Sequence, residues 1–182
     1  SAGGVPSIGN SVGANLTINS IVVDQIGGSF TNTLLGNDAA TTGGLRNLAI
    51  GYQALKATTA VNDNTAVGAL ALTALTTGIQ NTALGSNSLS AIDTESSNVA
   101  IGYSAMSATS SGATNVVIGS GAASAATGMG SDNVIIGQGS TASASFSGCS
   151  NTGVGQGVFA ALTSGNTNVG LGISAGAALV TA

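Results

Sequence analysis

The stretch Asn98-Val99-Ala100-Ile101-Gly102 is one copy of a pentapeptide, Asn-x-x-(Ile/Val/Leu)-Gly, that occurs nine times in this chain. The copies begin at Asn32, Asn47, Asn64, Asn81, Asn98, Asn115, Asn133, Asn151 and Asn168, at spacings of 15, 17, 17, 17, 17, 18, 18 and 17 residues. A unit this short cannot bury a core alone, so neighbouring copies must stack. Stepping back 17 residues from Asn32 reaches Asn15-Leu16-Thr17-Ile18-Asn19, with Asn in the glycine slot. Asn is the next best residue at positive φ, so this reads as a degenerate tenth copy.

A looser block follows each glycine, as in Tyr52-Gln53-Ala54-Leu55, Ala69-Leu70-Ala71-Leu72 and Tyr103-Ser104-Ala105-Met106. An apolar residue usually sits eight after the Asn and a small one, mostly Ala, ten after. Each unit therefore reads as a short strand, a glycine turn, a second extended or irregular piece and a polar connection; helical periodicity is weak. The expected fold is all-β: a parallel β-solenoid (β-roll or β-helix) of about ten rungs with a ~17-residue period, a shaft about 45–50 Å long. Residues 1–31, with the only proline, Pro6, and the run Ile21-Val22-Val23 before Asp24, read as an N-terminal cap or docking segment that includes the degenerate repeat. Residues 32–182 form the nine-repeat shaft.

Within the pentapeptide the third residue after Asn is always a large aliphatic, from Leu35 to Leu171, and the first is mostly β-branched. These two share a face, because side chains alternate along a strand, and are expected to fill the coil. The residue between them is smaller: Ala49, Ala66, Ala83, Ala100 and Val117 in five successive units. A strand apolar on both faces is normally covered on both. The small face is therefore expected to be the oligomer interface.

The corner pairs Asn47 and Gly51, Asn64 and Gly68, Asn81 and Gly85, Asn98 and Gly102, and Asn115 and Gly119 have structural roles. The glycines supply a positive φ or a spot without room for a Cβ. Identical Asn side chains, one above the next, can hydrogen-bond along the column.

Composition narrows the function. There are 29 glycines among 182 residues, two basic and six acidic residues, no histidine and one cysteine, Cys149. High apolar content with low charge argues against disorder, and Arg46 and Lys56 are too few to neutralise nucleic-acid phosphates. Every apolar run is cut by Gly, Ser, Thr or Asn, so no membrane insertion is expected. Without histidine or a cysteine pair, a zinc site or histidine base is starved of ligands, and no enzyme activity, metal or cofactor is expected. Ser1-Ala2-Gly3-Gly4 lacks the charged and apolar regions of a signal peptide, so a processed chain or an excised fragment is expected.

Asn98–Gly102 and Asn47–Gly51 (NLAIG) are similar to the head repeats of trimeric autotransporter adhesins. The longer forms NLAIGYQAL (47–55), NTAVGALAL (64–72) and NVAIGYSAM (98–106) resemble repeats of bacteriophage tail fibres. The resemblance implies a homotrimeric, non-catalytic attachment or shaft module on a virion or bacterial surface, binding a glycan or protein receptor. The adhesin repeat has a shorter period. No coiled-coil stalk, membrane-anchor barrel or C-terminal chaperone is recognisable, and such parts are expected to have been cleaved or to lie outside this sequence.

Tyr52 and Tyr103, each following a repeat glycine, are candidate receptor contacts, since exposed tyrosines can stack on sugar rings. Asp93 and Glu95 form the only close acidic pair and read as loop charges or half of a glycosidase or calcium site. Cys149 reads as a free residue or an interchain link. The alternative functions are a single-chain ice- or surface-binding solenoid, motivated by Thr58, Thr59, Thr76, Thr77, Thr127 and Thr163, or a subunit of an extracellular filament. The threonines' irregular spacing is expected to keep them out of a single column.

Overall fold

A computed structural model describes residues 21–23, 32–39, 44–57, 59, 61–141 and 146–181. The degenerate copy at 15–19, Pro6, Asp24 and Thr58 lie outside these residues. The strands are β1 (Ile21–Val23), β2 (Thr33–Leu35), β3 (Leu48–Ile50), β4 (Thr65–Val67), β5 (Thr82–Leu84), β6 (Val99–Ile101), β7 (Val116–Ile118), β8 (Val134–Ile136), β9 (Thr152–Val154) and β10 (Val169–Leu171). They form one sheet in chain order. β2 to β10 are parallel, each equivalent residue pairing with the next rung's, as Ala66 with Ala83. β1 pairs antiparallel with β2. The chain is thus an all-β solenoid of about eight turns, and no helix occurs among the described residues.

The Asn column fixes this register. Each Asn Oδ1 accepts the backbone N–H of the next rung's Asn, at 2.8–3.0 Å over all eight steps from Asn32 to Asn168. The amide nitrogen donates to a carbonyl three residues before that next Asn, as Asn47 Nδ2 to Val61 O (2.8 Å) and Asn151 Nδ2 to Gly165 O (2.8 Å). Asn carries both an acceptor and donors, so the buried side chain is satisfied at both ends without burying a charge.

The repeat glycines follow from the closeness of the rungs. Their φ values run from +113° to +145° between Gly36 and Gly172, where side chains are rarely tolerated. A Cβ on Gly102 would sit 2.7 Å from the carbonyl of Gly119, and one on Gly68 2.5 Å from that of Gly85. At Gly172, on the last described rung, nothing lies within 4 Å.

The two faces of the strand are the reverse of the sequence expectation. The middle residues Ala49, Ala66, Ala83, Ala100, Val117 and Ile135 are completely buried inside the single chain, whereas the flanking aliphatics are half-buried or exposed. Small residues point inward because the opposite wall supplies the bulk. Eight residues after each Asn stand Leu55, Leu72, Leu89 and Met106, all buried at φ 49–55°. The left-handed backbone costs about 1–2 kcal/mol per residue, which burial of a large side chain, about 1.5–3 kcal/mol, offsets.

The sizes at these two positions are reciprocal. Ala pairs with Leu or Met, Val117 with Ala123, Ile135 with Thr141, and Gly153 with Phe159. A Cβ on Gly153 would come within 3.0 Å of the Phe159 ring, and one on Gly170 of the next rung within 2.9 Å, so a single ring fills two rungs. Both 18-residue units have a small residue at the eighth position, Ala123 and Thr141. In the first, the register changes from 17 at Thr109 and Ser110 to 18 at Ser111, and Met129 is buried there; in the second, Phe146 is buried in the corresponding region. The added residue brings a large side chain into a rung that lacks one.

Two outcomes test this packing. Ala83→Leu should destabilise by ~1–3 kcal/mol through overpacking and Leu89→Ala by ~2–5 kcal/mol through a cavity. The double variant, which recreates the size order of the Val117/Ala123 rung, should cost less than their sum by ~0.5–3 kcal/mol in denaturant unfolding. Gly102→Ala should lower the melting temperature far more than Gly172→Ala, which meets only an unfavourable φ.

Candidate functional site

Turning the small residues inward leaves the first and third residues of every pentapeptide on the outside of the sheet. Nine rungs thereby present a continuous face running from Thr33 and Leu35 through Thr65 and Val67, Val99 and Ile101, to Val169 and Leu171. Leu84 is 46% exposed and Leu171 80%. Every residue on this face is Thr, Val, Leu or Ile. At ~4.8 Å per rung and ~3.3 Å per residue it measures roughly 38 by 10 Å. The face carries no charge, and with Thr at only four of its eighteen positions it is the candidate interaction surface of the chain.

The expected interface residues Ala49, Ala66, Ala83, Ala100 and Val117 have no exposed surface; they belong to the core. The corner residues Asn47 to Gly119 occupy two continuous columns, with the geometry described above. Tyr52 and Tyr103 are 49% and 65% exposed and share a column. Ala69 and Ser86 separate them, placing them three rungs, about 14 Å, apart. They therefore stand too far apart to clasp one sugar ring.

The threonines differ from expectation. Thr59, Thr76, Thr127 and Thr163 fall on one side of the coil with Asp93, Ser110 and Ser147, because the 18-residue units restore the alignment that the raw spacing hides. Their hydroxyls point along the shaft: Thr59 Oγ1 donates to Thr76 O (3.0 Å), Ser110 Oγ to Thr127 O (2.9 Å) and Thr163 Oγ1 to Val180 O (2.8 Å).

The acidic pair is occupied locally. Glu95 Oε2 accepts the N–H groups of Asp93 (3.1 Å) and Thr94 (3.0 Å), and Asp93 accepts the Thr76 hydroxyl. Among the described residues no group of three or more His, Cys, Asp or Glu is arranged to hold a metal. Asp63 is held below the usual carboxylate range by the hydrogen bond from the Arg46 guanidinium, which spans one rung. That contact is present above the ordinary Asp range and is lost as pH falls through the lowered value.

Cys149 occupies a column two residues before each Asn, in which side chains accept the N–H of the rung before. Asn62 Oδ1 accepts from Leu45, Ser96 Oγ from Ile79 and Ser131 Oγ from Ala113; Cys149 Sγ takes the same role toward Ser131 N–H at 3.4 Å. The sequence signal for this was the recurrence of Asn and Ser two before the repeat Asn.

No protein-family model, characterised protein or solved structure matches the chain. No helix among the described residues is long and apolar enough to cross a membrane.

The outward face separates from the core by mutation. Ile101→Lys with Ile118→Lys should leave the β-sheet circular dichroism intact and change chemical stability by about 1 kcal/mol or less in the isolated chain. Ala100→Glu, which buries an unpaired charge, should abolish that spectrum.

Proposed function

We propose that this chain is a structural and attachment module, a segment of a homotrimeric fibre that displays, or itself provides, binding to a receptor on a host cell or other surface. The observation that carries this reading is the uncharged aliphatic outer face of nine stacked strands. Three copies turning that face toward a common axis would remove it from water and leave the exposed Tyr52 and Tyr103 of each copy available for contact. The resemblance of NLAIGYQAL and NVAIGYSAM to tail-fibre and adhesin repeats supports three as the number and a virion or bacterial cell surface as the place.

The mechanism is mechanical. Trimerisation repeats each exposed contact three times, and low-specificity contacts to a glycan or protein receptor gain strength by avidity; Tyr52 and Tyr103 are the side chains we assign to it. Catalysis forms no part of this reading, since Asp93 and Glu95 are engaged by their own loop and neighbouring rung.

A second reading, a single-chain surface-binding solenoid, is favoured by the shared side of Thr59, Thr76, Thr127 and Thr163. Asp93 interrupts that side, and its hydroxyls are spent on neighbouring carbonyls. Clear thermal hysteresis in an ice-growth assay would favour it.

Light scattering on a size-exclusion column tests the leading reading. The expected mass is about three times the 17.0 kDa of the chain, stable to dilution, and Ile101→Lys with Ile118→Lys should reduce it to one chain. A wild-type monomer would overturn the trimer.

A further inference from the structure

The four threonines of the outer sheet face differ from those elsewhere in the coil. Thr73, Thr109 and Thr163 turn their hydroxyls along the shaft and donate to a carbonyl of a neighbouring rung, at 3.1, 2.8 and 2.8 Å. Thr33, Thr65, Thr82 and Thr152 open β2, β4, β5 and β9. Apart from the Thr65–Thr82 step, their neighbours along the column are Leu48, Val99, Val134 and Val169. None of the four hydroxyls has a hydrogen-bond partner among the described residues. Thr33 and Thr152 are exposed, and Thr65 and Thr82 are half-buried. A hydroxyl is both donor and acceptor, and closing it off from water against an aliphatic side chain strands both functions. Whatever covers this face must therefore bring polar groups to the levels of β2, β4, β5 and β9 and aliphatic groups to the other five.

The spacing of those levels discriminates between alignments. Counted in rungs, the separations are one (β4 to β5), two (β2 to β4), three (β2 to β5), four (β5 to β9), five (β4 to β9) and seven (β2 to β9), and none is repeated. A second copy lying alongside in the same direction and at the same height sets Thr against Thr at all four levels. Displaced by any number of rungs, it matches one threonine at most. Turned end for end, it matches two at most.

We infer that Thr33, Thr65, Thr82 and Thr152 set the alignment of neighbouring copies of this chain, parallel and with equal rungs at equal height. The inference rests on the reading of this face as the interface between copies. At each level the three hydroxyls around the axis donate in a ring, each to the next, so that no donor or acceptor is left over. A displaced copy leaves at least three of its four hydroxyls unmatched. The fourteen aliphatic positions supply the burial but are so alike from rung to rung that they do not tell one alignment from another. A few polar groups in an apolar seam do so, at a cost in stability. Alignment decides form as well, because copies at one height close on themselves, whereas regular displacement along the axis gives an open assembly.

Disulfide trapping in the full chain tests the assignment. In a Cys149→Ser background, serine takes the acceptor role it already has at Ser96 and Ser131. Chains carrying Val99→Cys are refolded together with chains carrying Val134→Cys and oxidised, and the linked peptides are identified by mass spectrometry. Val99 and Val134 lie on one column two rungs apart, a distance of ~10 Å. The expected links join position 99 to 99 and 134 to 134, with 99 to 134 a minor product. With Thr33→Val, Thr65→Val, Thr82→Val and Thr152→Val together, the 99-to-134 link should rise by roughly tenfold or more, while the mass by light scattering does not fall. Thr152→Val with Val169→Thr moves one threonine yet keeps every separation different, and should preserve the wild-type links. The inference is overturned if the wild type forms the 99-to-134 link as readily as the others, if the fourfold valine variant keeps the wild-type links, or if the moved threonine loses them. Loss of assembly in the valine variant would also overturn it, since the hydroxyls would then hold the copies together instead of aligning them. A wild type of one-chain mass with no link of any kind would overturn the interface reading itself, and this inference with it.

Discussion

Everything in this molecule depends on one contact, an asparagine side chain that accepts the backbone N–H of the next asparagine along the stack. Because the acceptor belongs to one rung and the donor to the next, each contact sets the vertical spacing and the lateral register together. Eight consecutive contacts at 2.8–3.0 Å leave no freedom for a one-residue slip, which would exchange the two faces of every strand. The glycine that closes the pentapeptide follows from the same constraint, since the backbone of the next rung stands where its Cβ would be.

Given that register, the interior is a column of fixed width that each rung must fill from its own residues or, as at Gly170, from a ring of the rung before. The reciprocal sizes at the second and eighth positions after Asn, and the added Met129 and Phe146 where the eighth position is small, are solutions of one volume problem. Native interiors are close-packed, so a rung missing bulk on one wall must gain it on another. The solenoid therefore tolerates wide variation in any single column while conserving the sum across it. The outer face has no such neighbour within the chain, and there the aliphatic residues recur without a compensating partner.

The architecture was legible because it rests on periodicity. Asn and Gly recur at fixed offsets, and the three-residue strands lie where the pentapeptide places them. The direction of the side chains was not legible from the strand alone, since both faces are apolar and large aliphatics are ordinarily the ones buried. The deciding clue lay farther along each unit. From the Asn47 unit to the Asn151 unit, Leu, Met and Phe appear at the eighth position where the second is Ala or Gly, and Ala or Thr where it is Val or Ile, as expected if the two positions face each other; in the last unit Gly170 and Gly176 both meet the Phe159 ring. Likewise, the threonine column was hidden by two 18-residue units whose extra residues fall on the connecting side, and the role of Cys149 was hidden because its acceptor function is shared by Asn and Ser rather than by a second cysteine.

Native-state hydrogen exchange, resolved by residue, tests the central contact most directly. The backbone amides of Asn64, Asn81, Asn98, Asn115 and Asn133 should exchange only through opening of the stack, as one slow group with protection close to that of global unfolding. Rapid and independent exchange at these amides, with slow exchange elsewhere in the same rungs, would contradict that expectation and would mean that the asparagines stand in a column without holding it together.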